Sequence, residues 1–335
     1  MVKFDISLEA STHPETAARL ARICDGYPFE SVWIGDMATQ WDYVGSLLMM
    51  AQSTQRIKVG LCLTNPYLRH PVKTAAALGT VSVLAKGRVE LVVGAGSRDF
   101  LQSIDRDWVK PVKACREMIE VIRILFTGNE VSYDGETVKA YRQKLWFEPP
   151  GAVPILVGCR RPMMLRMAGQ VADGVLLDAV PAQYVSFAKE QVEIGARSAG
   201  RGLTNFDLGN YIGCAVSEDR EVARSRVRRR VPLYFISVTE KELNLAGLTL
   251  EGVEPIRKAL ERHQPEYFAK ALVLVTDQMI DGFTIAGNPE DCIRRIKQYV
   301  DAGLNRIAFS MPTKSSDKPD EMIRMVAEQV IPEFL

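Results

Sequence analysis

Residues 88–97 read RVELVVGAGS, a run of branched apolar residues that ends in a glycine-rich turn. Such a run predicts a strand buried on both faces, and the glycines mark the turn that follows it. Residues 153–158, VPILVG, repeat the pattern farther along the chain. Two buried strands that end alike, each followed by a helical pattern, indicate β/α units and a parallel sheet.

The same alternation of strand and helix extends outward from these runs over the whole chain. Eight strands are predicted, at residues 3–9, 31–35, 56–63, 88–94, 153–158, 174–177, about 206–216 and 306–310. Eight such units are typical of a (β/α)8 or TIM barrel, an α/β fold that needs roughly 250 residues and accepts insertions.

One stretch exceeds what eight units require. Residues 217–283 or so, between predicted strands seven and eight, have a mainly helical pattern and no flanking linker rich in glycine, serine or proline. We therefore expect a helical insertion near the barrel mouth, with residues 1–335 forming a single domain. The alternative, a doubly wound open sheet, is expected to carry Gly-x-Gly-x-x-Gly after its first strand, but the next glycine is Gly26.

The bulk composition excludes several classes of protein. Apolar residues make up 47% of the chain and charged residues 25%, as in ordinary soluble proteins. Lysine and arginine (42) balance aspartate and glutamate (41), which provides no field for nucleic acid or a membrane surface. No apolar run is long enough for a signal peptide or a membrane helix, so we expect a cytoplasmic protein.

Two groups of polar residues carry no catalytic prediction. The six cysteines stand singly and His13, His70 and His263 are far apart, which predicts no metal site and a reducing compartment. Residues 224–230, RSRVRRR, form a basic helical stretch. We interpret it as a solvated face, with attraction of a polyanionic substrate tail as the alternative.

The active site of a parallel barrel lies where its strands end and the following loops begin. This rule selects a set of acidic, polar and glycine-turn residues: Glu9, Asp36, Thr64, Asn65, Gly94, Ala95, Gly96, Ser97, Gly158, Cys159, Arg160, Arg161 and Asp178.

Glu9 is the candidate general acid. Ser7 and Glu9 share one face of the first strand, because side chains alternate, and one face of a barrel strand is the filled interior. A carboxyl group at the rim of that interior can transfer a proton to a substrate. The alternative is a solvated glutamate paired to Arg160 or Arg161.

The two glycine turns at residues 94–97 and 158–161 suggest a phosphate-bearing cofactor. Such turns leave backbone N–H groups bare, Ser97 adds a hydroxyl group, and Arg160 and Arg161 add charged donors. The alternative is that these are common strand-to-helix turns with an arginine pair facing water.

Several strings resemble the luciferase-like flavin and deazaflavin oxidoreductases over nearly the whole chain. They include WIGD at residues 33–36, KGR at 86–88 and PILVG at 154–158. Within that superfamily the chain is more similar to the methylenetetrahydromethanopterin reductases. Its segments LTNPYLR at 63–69 and WVKPV at 108–112 resemble segments of those enzymes.

The resemblance implies a dimeric or tetrameric barrel with coenzyme F420 across the strand ends. It implies hydride transfer from reduced F420 to a methylene-tetrahydropterin, with Glu9 as the acid at the pterin nitrogen. Cys62 and Leu63 would form a non-prolyl cis peptide behind the deazaflavin ring, with Thr64 and Asn65 beside it. The glycine turns and Asp36 would contribute to the cofactor site, and Asp178 is assigned to the substrate.

Three positions depart from the family pattern. Met37 replaces a usual histidine, Ser97 a usual acidic residue, and Arg160 with Arg161 a usual small, glycine-rich turn. Three alternatives stay open: an FMN-dependent luciferase-like monooxygenase, an NAD(P)H-dependent, flavin-independent methylenetetrahydrofolate reductase, and a non-catalytic flavin-binding protein.

Overall fold

The computed structural model describes residues 2–260 and 265–335, so His263 in the predicted insertion lies outside the described residues. Eleven strands occur in these ranges. In chain order they are β1 Lys3–Leu8, β2 Ser31–Ile34, β3 Lys58–Thr64, β4 Val89–Gly94, β5 Val131–Asp134, β6 Lys139–Gln143, β7 Ile155–Gly158, β8 Gly174–Asp178, β9 Asp207–Val216, β10 Thr284–Gly287 and β11 Arg306–Ser310.

Fifteen α-helices occur in the same ranges, and several begin at a proline, whose missing N–H is not needed in a first turn. They are α1 Pro14–Asp25, α2 Tyr43–Ser53, α3 Pro71–Leu84, α4 Arg98–Ser103, α5 Pro111–Phe126, α6 Pro162–Val171, α7 Val185–Ser198, α8 Arg220–Arg228, α9 Val231–Phe235, α10 Glu240–Leu245, α11 Leu250–Leu260, α12 Pro265–Val273, α13 Asp277–Phe283, α14 Pro289–Asp301 and α15 Pro319–Met325.

All of these strands except β5 and β6, which pair with each other in antiparallel fashion, form one parallel sheet that closes into a barrel. Hydrogen bonds join them in the order β10-β9-β11-β1-β2-β3-β4-β7-β8, and β8 also pairs with β9, which closes the ring. The predicted (β/α)8 fold is therefore confirmed. The strand β10 was not predicted, because its four residues are too few to form a pattern beside the helices on either side. It pairs in parallel with the last residues of β9.

A buried hydrogen-bond network joins the first half of β2 to β4. The Trp33 indole N–H and the Ser31 hydroxyl group donate to the same carboxylate oxygen of Glu90, at 3.0 and 2.9 Å. These bonds stabilise a carboxylate that would otherwise be costly to bury. A Cβ atom on Gly60 would lie 2.4 Å from Trp33, so the indole occupies the space that a side chain there would need.

The chain divides into two compact units. The first comprises Asp5–Leu176 and Lys189–Leu208, and the second comprises the residues up to Phe4, Leu177–Ala188 and Gly209–Leu335. In the first unit α1 packs on α2 and α3 packs on α5. In the second unit α8 and α14 pack on β10, and α9 packs on α11 and α13.

Ion pairs hold α8 to α13 in the insertion. The Arg224 side chain is buried, and its guanidinium lies 2.5 Å from Asp281 and 3.2 Å from Asp277. Arg228, one helical turn later, lies 3.5 Å from Asp277. For Arg224 and Arg228 the interpretation as a solvated face is therefore wrong, because acidic residues that follow some fifty positions later neutralise them. Arg229 is exposed, as that interpretation predicts.

Candidate active site

The predicted site residues all lie within the last three residues of a barrel strand or the first three after it. Their roles in binding and catalysis stay predictions. β1 is followed by Glu9 and β2 by Asp36; β3 ends in Cys62, Leu63 and Thr64 and is followed by Asn65; β4 ends in Gly94 and continues into Ala95, Gly96 and Ser97; β7 ends in Gly158 and continues into Cys159, Arg160 and Arg161; β8 ends in Asp178.

The end of β3 bulges at Leu63. The Cys62–Leu63 peptide is cis, as the resemblance implied, and the pairing register with β4 shifts between Cys62 and Thr64. The Leu63 side chain extends across the next two strands. A Cβ atom added to Gly94 would lie 2.9 Å from a Leu63 methyl group, and one added to Gly158 would lie 2.7 Å from a Leu63 methyl group. Both glycines therefore leave room for this leucine.

Asp36 and Thr64 are bonded to each other. The Thr64 hydroxyl group donates to the Asp36 carboxylate at 2.6 Å, which ties the loop after β2 to the end of β3. Burial raises the pKa of Asp36, and the Thr64 hydrogen bond and the Arg69 guanidinium offset this only in part. The pair thus places an acidic group, with its partner fixed, beside the bulge.

Asn65 holds the turn that follows the bulge. Its side-chain oxygen accepts hydrogen bonds from the backbone N–H groups of Tyr67 and Leu68, both at 3.1 Å, and the residue is buried. Its amide nitrogen would lie 3.2 Å from a Cβ atom at Gly96, whose φ of +71° also favours glycine. Asn65 therefore packs against the turn after β4.

The turn after β4 combines one fixed carbonyl group with one exposed hydroxyl group. The indole N–H of Trp108 donates to the Ala95 carbonyl oxygen at 2.7 Å. Ser97 is the N-cap residue of α4, and its side chain makes no capping hydrogen bond. Its hydroxyl group is therefore not needed to begin the helix.

The turn after β7 differs from the bare cradle predicted from the sequence. The Cys159 N–H donates to the Leu176 carbonyl oxygen at 3.0 Å, so the interpretation of this amide as bare is wrong. Burial raises the pKa of the Cys159 thiol, which keeps it protonated. Arg160 is only 6% exposed, and Arg161 is the N-cap residue of α6.

Glu9 lies directly after β1 with its side chain half-buried. Its carboxylate accepts a hydrogen bond from the Ser11 hydroxyl group at 3.4 Å, and its carbonyl oxygen accepts one from the Thr12 N–H at 2.9 Å. The backbone turn therefore fixes the residue at the strand end and leaves part of the carboxylate accessible.

Two polar residues of the second unit, Tyr211 and Arg230, were not predicted as site residues. Tyr211 of β9 accepts hydrogen bonds from Ser310 at 2.8 Å and from Arg230 at 3.4 Å. Tyr211 could have been noticed, because it stands between Gly209 and Gly213 in the predicted strand. Arg230 gave no such signal, because it lies within a basic stretch of the insertion.

The described ranges, residues 2–260 and 265–335, contain no group of three or more histidine, cysteine, aspartate or glutamate side chains that could hold a metal ion. Their helices do not combine the length and the apolar character that crossing a membrane requires.

Comparison with known proteins gives strong matches. The model of the luciferase-like monooxygenase family matches residues 1–306. The 5,10-methylenetetrahydromethanopterin reductase of Archaeoglobus fulgidus is 34% identical over 93% of this chain and 94% of the relative. The reductase of the same name from Methanolobus tindarius is 30% identical over 94% and 95%.

Among solved structures, the coenzyme F420 dependent tetrahydromethanopterin reductase from Methanopyrus kandleri superposes with a TM-score of 0.91. It is 29% identical, and the match covers 100% of this chain and 99% of that one. The resemblance predicted from the sequence is therefore confirmed. The chain belongs to the luciferase-like monooxygenase family, and its likeness to 5,10-methylenetetrahydromethanopterin reductases extends over nearly its whole length.

Proposed function

We propose that this chain reduces a methylene-tetrahydropterin to the methyl-tetrahydropterin, with coenzyme F420 as the hydride donor. Family membership and the full-length likeness to methylenetetrahydromethanopterin reductases support this function. The structural observation that carries it is the β3 bulge, where the Cys62–Leu63 peptide and the Leu63 side chain form a wall beside the strand ends. A wall of this kind suits one face of a planar deazaflavin ring.

The residues around the bulge fit a flat cofactor with an acidic tail. Leu63 fills the space above two glycines, which makes the wall continuous across β3, β4 and β7. Arg160 and Arg161 supply positive charge that suits phosphate and carboxylate groups. When bound, reduced deazaflavin supplies the hydride. We assign its binding to Asp36, Cys62, Leu63, Thr64, Asn65, Gly94, Ala95, Gly96, Ser97, Gly158, Cys159, Arg160 and Arg161.

Glu9 holds the proton that the reaction requires. Opening the five-membered ring of the substrate leaves a pterin nitrogen that must be protonated, and a carboxyl group at the end of β1 can reach a substrate bound at the mouth. A positioned general acid contributes roughly 10²–10⁴-fold to a rate.

The test is an anaerobic assay with purified protein and methylene-tetrahydromethanopterin. Reduced F420, FMNH2 and NADH are supplied in turn, and methyl-tetrahydropterin formation is followed by chromatography. We expect product only with reduced F420, in step with the appearance of the oxidised deazaflavin spectrum. Product only with NADH would make NADH the hydride donor, and turnover of FMNH2 that occurs only in a parallel assay with oxygen would point to a monooxygenase. Cofactor binding without any product would point to a non-catalytic protein.

The protein acts as a homo-oligomer whose copies meet through α2 and α3. Val83 and Leu84 on α3 are 56% and 42% exposed, and Leu48 on α2 is half-buried. The sequence of α2 contains no charged residue and that of α3 contains only Lys73. An apolar surface with a single lysine suits a second copy of itself better than a charged partner. Light scattering should give a dimer or tetramer, and a Val83→Glu variant should give a smaller species.

The whole chain, residues 1–335, works as one catalytic domain in the cytoplasm. The family match that spans residues 1–306 supports one domain, and six free cysteines support a reducing compartment. The near-even charge favours a small-molecule substrate over nucleic acid or a membrane surface.

A further inference from the structure

A group of polar side chains lies at the strand ends of the second unit, outside the proposed cofactor wall. Tyr211 of β9 is half-exposed, and its hydroxyl oxygen accepts hydrogen bonds from Ser310 and Arg230. Ser310 is fully buried and is the last residue of β11. As acceptor of both bonds, Tyr211 keeps its own O–H hydrogen for a third group.

The insertion delivers two of its residues to this place. Arg230 immediately precedes α9, and Tyr234 lies within that helix. The Tyr234 hydroxyl group would lie 2.8 Å from a Cβ atom at Gly213, so α9 approaches the β9 backbone closely. The insertion therefore completes the polar group beside Tyr211 instead of extending away into solvent.

Asp178 belongs to the same group. The residue after it, Ala179, donates its backbone N–H to the Tyr211 carbonyl oxygen at 2.8 Å, which sets the end of β8 beside Tyr211. Burial raises the pKa of Tyr234. The Arg230 charge lowers this pKa and the Asp178 charge raises it, so both charges act on the same hydroxyl group. Asp178 is the last residue of β8 and is half-exposed at the strand end.

The group offers an acceptor next to donors. A carboxylate only accepts hydrogen bonds, a guanidinium only donates them, and the Tyr211 hydroxyl group has a hydrogen left to donate. The pyrimidinone edge of a pterin presents the complementary pattern, with a 2-amino group and an N3–H as donors beside a 4-oxo acceptor. The methylene carbon lies on the other ring of the pterin, away from this edge.

We propose that Asp178, Tyr211 and Arg230 recognise the pyrimidinone edge of the substrate's pterin. The 2-amino and N3–H groups donate to Asp178, and the 4-oxo group accepts from Tyr211 and Arg230. The inference rests on the proposed function, because it assumes a pterin substrate. It assigns Tyr211 and Arg230, neither of which was predicted as a site residue from the sequence, to substrate specificity.

The test uses direct binding, so that it does not depend on turnover. The probes are 6-methylpterin and 6-methyllumazine, which differ in having an amino or an oxo group at position 2, and binding is followed by their fluorescence. The wild-type protein should bind the pterin about tenfold or more tightly than the lumazine, because the oxo group would face a carboxylate. Asp178→Asn should bring the two affinities to within about twofold.

Tyr211→Phe should weaken both probes about fivefold, because both carry the 4-oxo group. Arg230→Lys should also weaken both, since a lysine cannot bond Tyr211 and the ligand in the same geometry. Asp134→Asn and Tyr133→Phe, on the β5–β6 hairpin, which is a separate two-stranded sheet, are the matched controls and should change neither affinity. Circular dichroism melting verifies that each variant folds.

The outcomes separate the subsite from the activity. Equal binding of the two probes by the wild type, or unchanged discrimination in Asp178→Asn, would overturn the subsite even in an active enzyme. Discrimination that Asp178→Asn removes supports the subsite whether or not methylene-tetrahydropterin is turned over. Absence of turnover with every hydride donor would overturn the proposed function alone.

Discussion

The Thr64 hydroxyl group donates a 2.6 Å hydrogen bond to the Asp36 carboxylate, and this bond orients the only hydroxyl group at the end of β3. Because its hydrogen is engaged, Thr64 can offer only oxygen lone pairs to a ligand at the bulge. Asp36 thereby decides whether Thr64 acts as a donor or as an acceptor. We expect it to act mainly as a positioning residue, through Thr64.

Asp36→Asn should weaken binding of F420 about fivefold, which corresponds to roughly 1 kcal/mol for one neutral hydrogen bond. The amide can donate to the Thr64 oxygen as well as accept from its hydroxyl group, so the orientation of that group is no longer fixed. Quenching of F420 fluorescence measures the affinity, with Asp134→Asn as the control. Unchanged affinity would show that the Thr64 orientation does not matter to the cofactor.

The stability of the protein should depend on pH through Asp36. Burial raises the pKa of its carboxyl group above the ordinary 3.8. The stability that this group contributes is therefore fully present below pH 3.8 and is lost as pH rises through the raised value. The free energy of unfolding of Asp36→Asn minus that of the wild type should therefore increase as pH rises from 3.8 through the raised pKa. Urea denaturation at several pH values measures this difference. A difference that is flat or falls with pH would contradict the raised pKa.

Gly158→Ala should disturb the wall formed by Leu63. The new Cβ atom would lie 2.7 Å from a Leu63 methyl group, so one of them must move. Overpacking of this kind costs about 1–3 kcal/mol in free energy of unfolding, and F420 binding should weaken with it. Gly202→Ala is the matched control, because a Cβ atom there meets nothing within 4 Å.

A double-mutant cycle tests the cause of this loss. Leu63→Ala removes the colliding methyl groups. The double variant Leu63→Ala with Gly158→Ala should therefore lose less free energy of unfolding than the sum of the losses in the two single variants. Urea denaturation gives the four free energies. Strict additivity would mean that Gly158 is required for some other reason than its contact with Leu63.

The barrel and its strand ends could be predicted because they depend on local patterns. An apolar run such as residues 88–94, closed by glycines, reveals both the strand and the place where it ends. The strand Arg306–Ser310 has the bounds predicted for it. Once the fold is known, the carboxyl ends of parallel strands select the candidate site.

The contacts within the site could not be predicted in the same way. Gly94 and Gly158 looked like exposed amides, whereas their missing side chains make room for Leu63 from another strand. Arg230 contacts Tyr211 only because the insertion folds back on β9, and helical periodicity does not indicate where a helix packs. The hydrophobic pattern of the sequence therefore located the strand ends, whereas packing between segments far apart in the sequence determines what each residue does there.

Glu9→Gln should lower turnover by about two orders of magnitude or more, because an amide cannot supply the proton that a general acid transfers to the pterin nitrogen. Glutamine keeps the size of the side chain and can still accept the Ser11 hydrogen bond, so the affinity for F420 should be preserved. Single-turnover kinetics, followed by oxidation of the deazaflavin, measure the chemical step apart from product release.

A matched control distinguishes proton transfer from a general effect of losing an acidic side chain. Glu15→Gln, an exposed position in the first turn of α1, should keep wild-type turnover. A Glu9→Gln variant with near-normal turnover would require a different proton donor at the barrel mouth.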